Sequence, residues 1–200
     1  MKLTAGTIVT DRQLTALSAP VTLPDSDWLV HLQFRRFAGC PLCNLHLRTF
    51  ATRHDDLTAA GIREVIVFHS AAEELRPHVA LLPFAVIADP GKRLYAEFGV
   101  ESAKRALLDP RAWLPVIRGT VHDLWGIVRH RRPVPAINPQ GGRLGLPADF
   151  LIASDGRVLA VKYGEHAFDQ WSVDEVLSLA TGLSLAAHQS TEAAAADKDR

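Results

Sequence analysis

The chain has only two cysteines, no surplus of either charge, and no apolar run long enough to cross a bilayer. Lys and Arg total 22 and Asp and Glu also total 22. That balance argues against a chain held on nucleic acid by excess positive charge, so no nucleic-acid partner is expected. The most apolar stretch, Val79 to Ala88, is ten residues long and contains Pro83, which suits a core element and excludes a transmembrane segment. Met1-Lys2-Leu3-Thr4 opens without the apolar run and small-residue cleavage site of a secretory signal, so the expected location is cytoplasmic. The nine histidines form no metal-ligand signature, and no cofactor motif is present. Glycine-rich phosphate loops, paired catalytic carboxylates and Ser/His/Asp arrangements are also missing. Hydrophobic residues make up 48% of the 200. A domain of that size buries roughly 70% of its unfolded surface, so it needs neither disulfide staples nor a structural metal.

The two cysteines, Cys40 and Cys43, stand three apart. Random placement in a chain of this length would give that spacing roughly once in a hundred, by counting over the available separations. A tetrahedral zinc site wants a second pair of ligands, and there is no second Cys pair. A redox C-x-x-C remains, provided a strand, a turn and a helix surround it. Trp28 to Phe34 alternates, with Trp28, Val30, Leu32 and Phe34 on one face of a predicted strand. Arg35 to Gly39 turns the chain, and Pro41 takes the first helical position, which proline favours. Cys43, Leu47, Phe50 and Leu57 then mark one stripe of a helix predicted to end near Gly61. Cys40 falls at the cap, where free N–H groups and the positive dipole end favour a thiolate, and Arg35 and Arg36 add to that field. Cys43 lies one turn in, facing the core and shielded. Cys40 is the expected nucleophile and Cys43 the resolving thiol.

Glu64 to His69 reads as a buried parallel strand, and Ser70 with Glu73 as the capping box of a helix through Arg76. Phe84 to Ala88 is a third strand, and Lys92 to Phe98 a short helix stopped by Gly99. Phe150 to Ala153 and Val158 to Val161 flank Ser154-Asp155-Gly156-Arg157, a hairpin signal. A closing helix runs from Ser172 to Ala180, with Ser172 and Glu175 as its capping box. This order predicts an α/β fold with a central mixed β-sheet flanked by helices.

A strand, a C-x-x-C at a helix start, a βαβ unit and a proline just before a β-hairpin together resemble the thioredoxin-like fold. Phe34 to Cys43, Leu82 to Pro90 and Asp155-Gly156-Arg157-Val158 resemble its peroxiredoxin-like, AhpC/TSA-type branch. The resemblance covers roughly Trp28 to Gly182. It implies that Pro147, in Leu146-Pro147-Ala148-Asp149-Phe150, is the cis-proline facing the disulfide, and that Pro147 and Pro41 shape the substrate groove. Peroxiredoxins of this type carry Pro-x-x-x-Thr/Ser-x-x-Cys and an arginine near the hairpin. Here Gln33 stands at the proline position, Phe37 at the Thr position and Pro147 at the arginine position. Phe37 and Pro147 cannot donate a hydrogen bond to a peroxide, and Arg36 and Arg143 are the candidate electrostatic supports.

The resulting expectation is a thiol–disulfide oxidoreductase using a Cys40/Cys43 couple, with no cofactor. Its partners are a small-molecule or protein disulfide or a hydroperoxide, an external thiol reductant, and a second copy of the chain as candidate homodimer. The alternatives are a thiol-dependent peroxidase, with Cys40 peroxidatic and Cys43 resolving, and a non-enzymatic metal, iron–sulfur or redox-sensing module. His46, one turn beyond Cys43, reads as a surface or half-buried histidine, with a bias on a cysteine proton as the sharper reading. His31 and His69 are read as packing or hydrogen-bonding, and Asp149 and Glu165 as candidate proton acceptors for Cys43. The expected organisation is an N-terminal extension over 1–27 with edge strands, a thioredoxin-like domain over 28–185, and a disordered tail over 186–200. A helical insertion over 100–146 precedes the proline loop.

Overall fold

The computed structural model describes residues 1–100, 142 and 145–183. The insertion, Arg143 and the tail, apart from the edges of the first, lie outside the described residues. A small antiparallel pair comes first, β1 (Arg12–Leu14) with β2 (Val21–Leu23). Strand β3 (Leu29–Arg35) then leads into helices α1 (Pro41–Thr52) and α2 (His54–Ala59), followed by β4 (Ile62–Phe68), α3 (Ala72–Val79), β5 (Ala85–Ala88) and α4 (Arg93–Glu97). The hairpin β6 (Ala148–Ile152) and β7 (Val158–Tyr163) follows, and helix α5 spans 173–183. The main sheet has the order β5-β4-β3-β6-β7. Strands β3, β4 and β5 run parallel, whereas β6 and β7 pair antiparallel beside β3. Parallel strands need crossover helices, which cover the sheet and force both faces to be buried. This is the thioredoxin-like mixed sheet expected from the sequence.

Two cores result. On one face, Leu47 and Phe50 of α1, Leu57 of α2, Leu75 of α3 and Val176 of α5 pack on Ile66, Phe68 and Leu151. On the other, Leu14, Val21, Leu23, Tyr95 and Phe98 cover Val30, Leu32, Phe34, Val67 and Phe150. The alternation read in β3 is therefore correct for its apolar face. Of the predicted N-terminal edge strands, the stretch through Ile8 does lie at the sheet edge beside the start of β7. Ile8 bridges to Arg157, Val158 N donates to Thr7 O and Gly6 N to Val158 O, each bond 2.8 Å. Val21–Leu23 does not join the main sheet; it pairs with β1 and buries Val21 and Leu23 in the second core.

The single predicted helix after Cys40 is two. Thr49 and Thr52 turn their hydroxyls back to the carbonyls of His46 (2.7 Å) and Arg48 (2.8 Å), a bond that loosens a helix locally. Arg53 then leaves helical geometry at φ −111°, ψ 27°. Its guanidinium reaches Asp56 (2.8 Å) and also Asp174 in α5. The Ser172–Glu175 box forms as expected, with Glu175 N donating to Ser172 Oγ (3.3 Å) and Ser172 N to Glu175 Oε2 (2.7 Å). Ser70 is not the cap of α3. Ala71 is, without a side-chain bond, because the Ser70 hydroxyl accepts from Ala38 N (3.0 Å) in the turn before Cys40.

Candidate redox site

The C-terminal ends of β3 and β4 and the start of α1 converge on the two sulfurs. Cys40 is the N-cap residue at φ −59°, ψ 117° with Pro41 directly after it, so the cap and proline rule of the sequence holds. Both thiols are free. Their asymmetry is not one of exposure, as the sequence suggested, since Cys40 is 1% and Cys43 2% exposed. It is one of hydrogen bonds and charge. Arg36 Nη1 stands 3.7 Å from Cys40 Sγ, while Arg36 N donates to Cys43 Sγ at 3.5 Å.

Burial would raise the Cys40 thiol, but the hydrogen bond from Cys43, the Arg36 charge and the N–H groups of Cys43 and Leu42 bring it down to about 6. Cys43 moves the other way. Burial, the hydrogen bond it gives to Cys40 and the charge there push it well above its ordinary value. One sulfur is thus an anion near neutrality and the other holds its proton. Arg36→Met removes the positive charge and is expected to raise the Cys40 midpoint by about one pH unit, at the low end of the effect of a neighbouring charge. The check is the pH dependence of alkylation, with each cysteine resolved by peptide mass. An unmoved Cys40 midpoint would show that the helix N–H groups suffice.

Pro41 is half-buried at the helix start, and Pro147 is buried just ahead of β6. The Leu146–Pro147 bond is not cis, contrary to expectation: the cis X–Pro bond among the described residues is Leu23–Pro24. Pro147 instead prolongs β6 in extended form. Its carbonyl accepts from Gly164 N at 2.9 Å, one step beyond the Ala148–Tyr163 pair, and a proline without an N–H is tolerated at that lead-in position. The chain entering Pro147 passes beside Arg36 and His69. A Cβ on Gly145 would sit 2.7 Å from His69 Nε2 and 3.7 Å from Arg36 Cγ, so any side chain here would have to displace the buried His69 ring.

Beneath α1 lies a feature the sequence reading missed. His31, Gln33 and Arg35, on the second face of β3, are all 0% exposed, as is Asp149 of β6, and Glu64 of β4 is 3% exposed. Arg35 Nη2 donates to Asp149 Oδ1 at 2.6 Å, to Gln33 Oε1, and to His46 Nε2 at 3.1 Å. His31 Nδ1 donates to Glu64 Oε2 at 2.8 Å, and its Nε2 is 3.2 Å from Asp149 Oδ1, a charge contact more than an aligned hydrogen bond. Gln33 Nε2 also donates to Glu64.

Burial alone would lower the His31 pKa, but Glu64 and Asp149 carry it up to about 9. Burial would raise Asp149, and Arg35 and His31 instead hold it well below the carboxylate range. His31 and Arg35 therefore balance two carboxylates. His46 is pressed well below its usual value by burial and then by Arg35, so its ring is neutral, with the proton on Nδ1 and Nε2 accepting. These contacts correct four readings. Arg35 is held on Asp149, so of the two arginines Arg36 alone stands beside Cys40, and His46 is buried rather than at the surface or half-buried. Asp149 is committed to Arg35 and His31 rather than poised for Cys43, and Glu165 is exposed. The signal was present as polar residues on alternate positions of an otherwise buried strand.

Among the described residues no helix is long and apolar enough to cross a membrane, and no His/Cys/Asp/Glu group is arranged to hold a metal ion. No curated protein matches the chain. Solved structures share its fold at low identity. Peroxidoxin BcpB from Mycobacterium tuberculosis is 17% identical with a TM-score of 0.64, the match covering 90% of this chain and 97% of that one. Mycobacterium tuberculosis AhpC is 15% identical with a TM-score of 0.64, over 92% of this chain and 94% of the other. A thiol:disulfide interchange protein DsbE, so described as putative, from Chlorobium tepidum is 18% identical with a TM-score of 0.55, over 90% and 99%. The pattern of the AhpC/TSA antioxidant enzyme family matches residues 49–166, a span that begins after Cys43. That span is more than half of the sequence, and the chain belongs to the AhpC/TSA antioxidant enzyme family.

Proposed function

We propose that the protein is a thiol–disulfide oxidoreductase of the AhpC/TSA family in which Cys40 attacks and Cys43 resolves. The observation that carries this reading is the opposed protonation of two adjacent sulfurs, with Cys40 lowered to about 6 and Cys43 raised. The Cys40 thiolate attacks a substrate disulfide, forms a mixed disulfide and expels one substrate thiolate. Cys43 then gives up its proton to that thiolate or to water and attacks Cys40 Sγ. A Cys40–Cys43 disulfide forms and the second substrate thiolate leaves. An external dithiol or two thiols reduce the pair again. Pro41 and Pro147 would border the groove, Arg36 would hold the Cys40 anion, and the working domain would span 28–185.

The peroxidase reading is favoured by family membership and by the Arg36 guanidinium beside Cys40. Cys40 would attack a hydroperoxide to give a sulfenic acid and an alcohol or water, and Cys43 would condense with it, releasing water. Against it stands Phe37, buried at the position where a hydroxyl donor would serve.

The two are separated by stopped-flow oxidation of the reduced protein with hydrogen peroxide, an organic hydroperoxide and a small disulfide, the thiols being followed by mass. The expected result is rapid reduction of the disulfide, loss of all reaction in Cys40→Ser, and arrest at the mixed disulfide in Cys43→Ser. Peroxide oxidation far faster than that of a free thiol would make the peroxidase the function. Inertness toward all three would sink both readings.

A further inference from the structure

A hydrogen-bonded path leads away from Cys43 that the exchange chemistry above does not use. The peptide between Arg35 and Arg36 ends β3. Its N–H is donated to Cys43 Sγ at 3.5 Å. Its carbonyl is the nearer acceptor of the single Tyr95 hydroxyl proton, which it shares with Val67 O at 2.9 Å. These carbonyls belong to neighbouring parallel strands near their C-terminal ends, with Arg35 opposite Phe68. One phenol on α4 therefore ties together the two strand ends that carry the turn before Cys40.

Tyr95 is itself fixed. It is 3% exposed, and its ring meets Phe34 edge-on at 4.9 Å. The Asp89 carboxylate accepts from Arg93 N (3.0 Å) and Leu94 N (2.8 Å), which locks the start of α4. The peptide is held from its other sides as well, since the Arg35 guanidinium is anchored on Asp149 and Arg36 Nη1 lies 3.7 Å from Cys40 Sγ.

We propose that Tyr95 is a positioning residue for Cys43, acting through the Arg35–Arg36 peptide. This inference rests on Cys43 being the resolving thiol. Negative charge develops on Cys43 Sγ as it loses its proton, and the Arg36 N–H is the backbone donor aimed at it. An amide whose carbonyl accepts a hydrogen bond is a stronger N–H donor, because bonds in a chain polarise one another. The same bond stops the peptide from rotating its N–H off the sulfur. Burial keeps the Tyr95 phenol protonated and hence a donor. The charged and titratable groups facing Cys43 are Cys40 at the cap, Arg36 from the turn and Tyr95 from α4; behind the phenol lie Asp89 and Arg35, and the His69 ring packs edge-on against it at 5.5 Å.

The test uses the full chain and an aromatic disulfide that releases a coloured thiolate. The first release reports attack by Cys40 and the second reports closure by Cys43. In Tyr95→Phe, which removes one oxygen, the first phase and its pH midpoint should be unchanged. The second phase should slow about three- to tenfold, the size of one ordinary neutral hydrogen bond, because the bond removed is to a peptide carbonyl, and its pH midpoint should rise. The chain has two tyrosines, and Tyr163 serves as the control, since its hydroxyl also donates to a backbone carbonyl, Phe98 O at 2.6 Å. Tyr163→Phe should leave both phases alone. Replacing the remaining Tyr95 in that variant by 3-fluorotyrosine, a stronger donor of the same shape, should speed closure. An unchanged second phase in Tyr95→Phe overturns the proposal. So does equal slowing of both phases or an equal effect of Tyr163→Phe, since either marks general loosening. If the wild type releases only one equivalent, the resolving role of Cys43 itself fails, and the role of Tyr95 fails with it.

Discussion

Asp149→Ala is expected to destabilise the fold by about 3–5 kcal/mol, the usual cost of removing one partner from a buried ion pair. The carboxylate takes Arg35 Nη2 at 2.6 Å, lies 3.2 Å from His31 Nε2 and accepts from Trp171 N at 3.4 Å. All three charged side chains are 0% exposed, so neither cation can turn to water when the anion is gone. Two positive groups would then face the single remaining carboxylate of Glu64, at the base of α1. Denaturant unfolding at constant m-value measures the loss. Asp149→Asn should cost less, because the amide can still accept from Trp171 N. A loss below about 1 kcal/mol for Asp149→Ala, the size of an ordinary neutral hydrogen bond, would mean that Arg35 and His31 are not carried as buried cations.

The second large effect is a loss of stability toward alkaline pH that belongs to His31. Its folded pKa is raised from 6.5 to about 9. A group whose pKa is higher in the folded state binds its proton more tightly there. Its stabilisation is complete below about 6.5 and disappears as pH rises to about 9, on the order of 3 kcal/mol for a shift of this size. Cys40 runs in the opposite sense across the same interval. Its pKa falls from 9.0 to about 6, so its contribution grows with rising pH. The measurement therefore belongs in Cys40→Ser, where His31 dominates the alkaline side. On the acid side, His46 is held neutral by burial and by Arg35, and it takes stability away as pH drops below 6.5. Unfolding free energy in Cys40→Ser should peak near pH 6.5, and the alkaline decline should vanish on adding His31→Gln. A profile that stays flat between pH 6 and 9 in Cys40→Ser would contradict a charged His31.

Local rules made much of this legible in advance. The helix start at Cys40-Pro41, the Ser172–Glu175 box, the Asp155-Gly156 turn and the apolar face of β3 each depend on residues within a few positions of one another. Where contacts span the chain, the sequence was mute. Ser70 has a credible capping partner in Glu73, yet its hydroxyl is drawn to Ala38 in the turn. Pro147 sits where a cis bond was expected, yet pairing with Gly164 extends it along β6. His31 reads as a packing or hydrogen-bonding residue, Gln33 as a departure from the family's proline, and Arg35 as part of the turn, with nothing in these readings joining the three. Only the placement of β3 in the middle of the sheet, with carboxylates on both flanking strands, brings them together in a core. Tyr95 is separated from Arg35 by sixty positions, and no spacing rule connects them.

The polar stripe of β3 also governs how the chain can be assembled. His31 opposes Glu64 on one neighbour, and Gln33 opposes Asp149 on the other. A slip of one residue along either strand exchanges the two faces of β3. His31, Gln33 and Arg35 would then point at Tyr95, Phe98 and Phe150, where the nearby Asp89 carboxylate is already committed to the N–H groups of α4, and Val30 and Phe34 would press on Glu64 and Asp149. The cluster thus works as a key cut on both edges: an odd slip of the central strand between β4 and β6 buries its charges in an apolar core, and the sheet over which the dithiol helix lies is penalised for it.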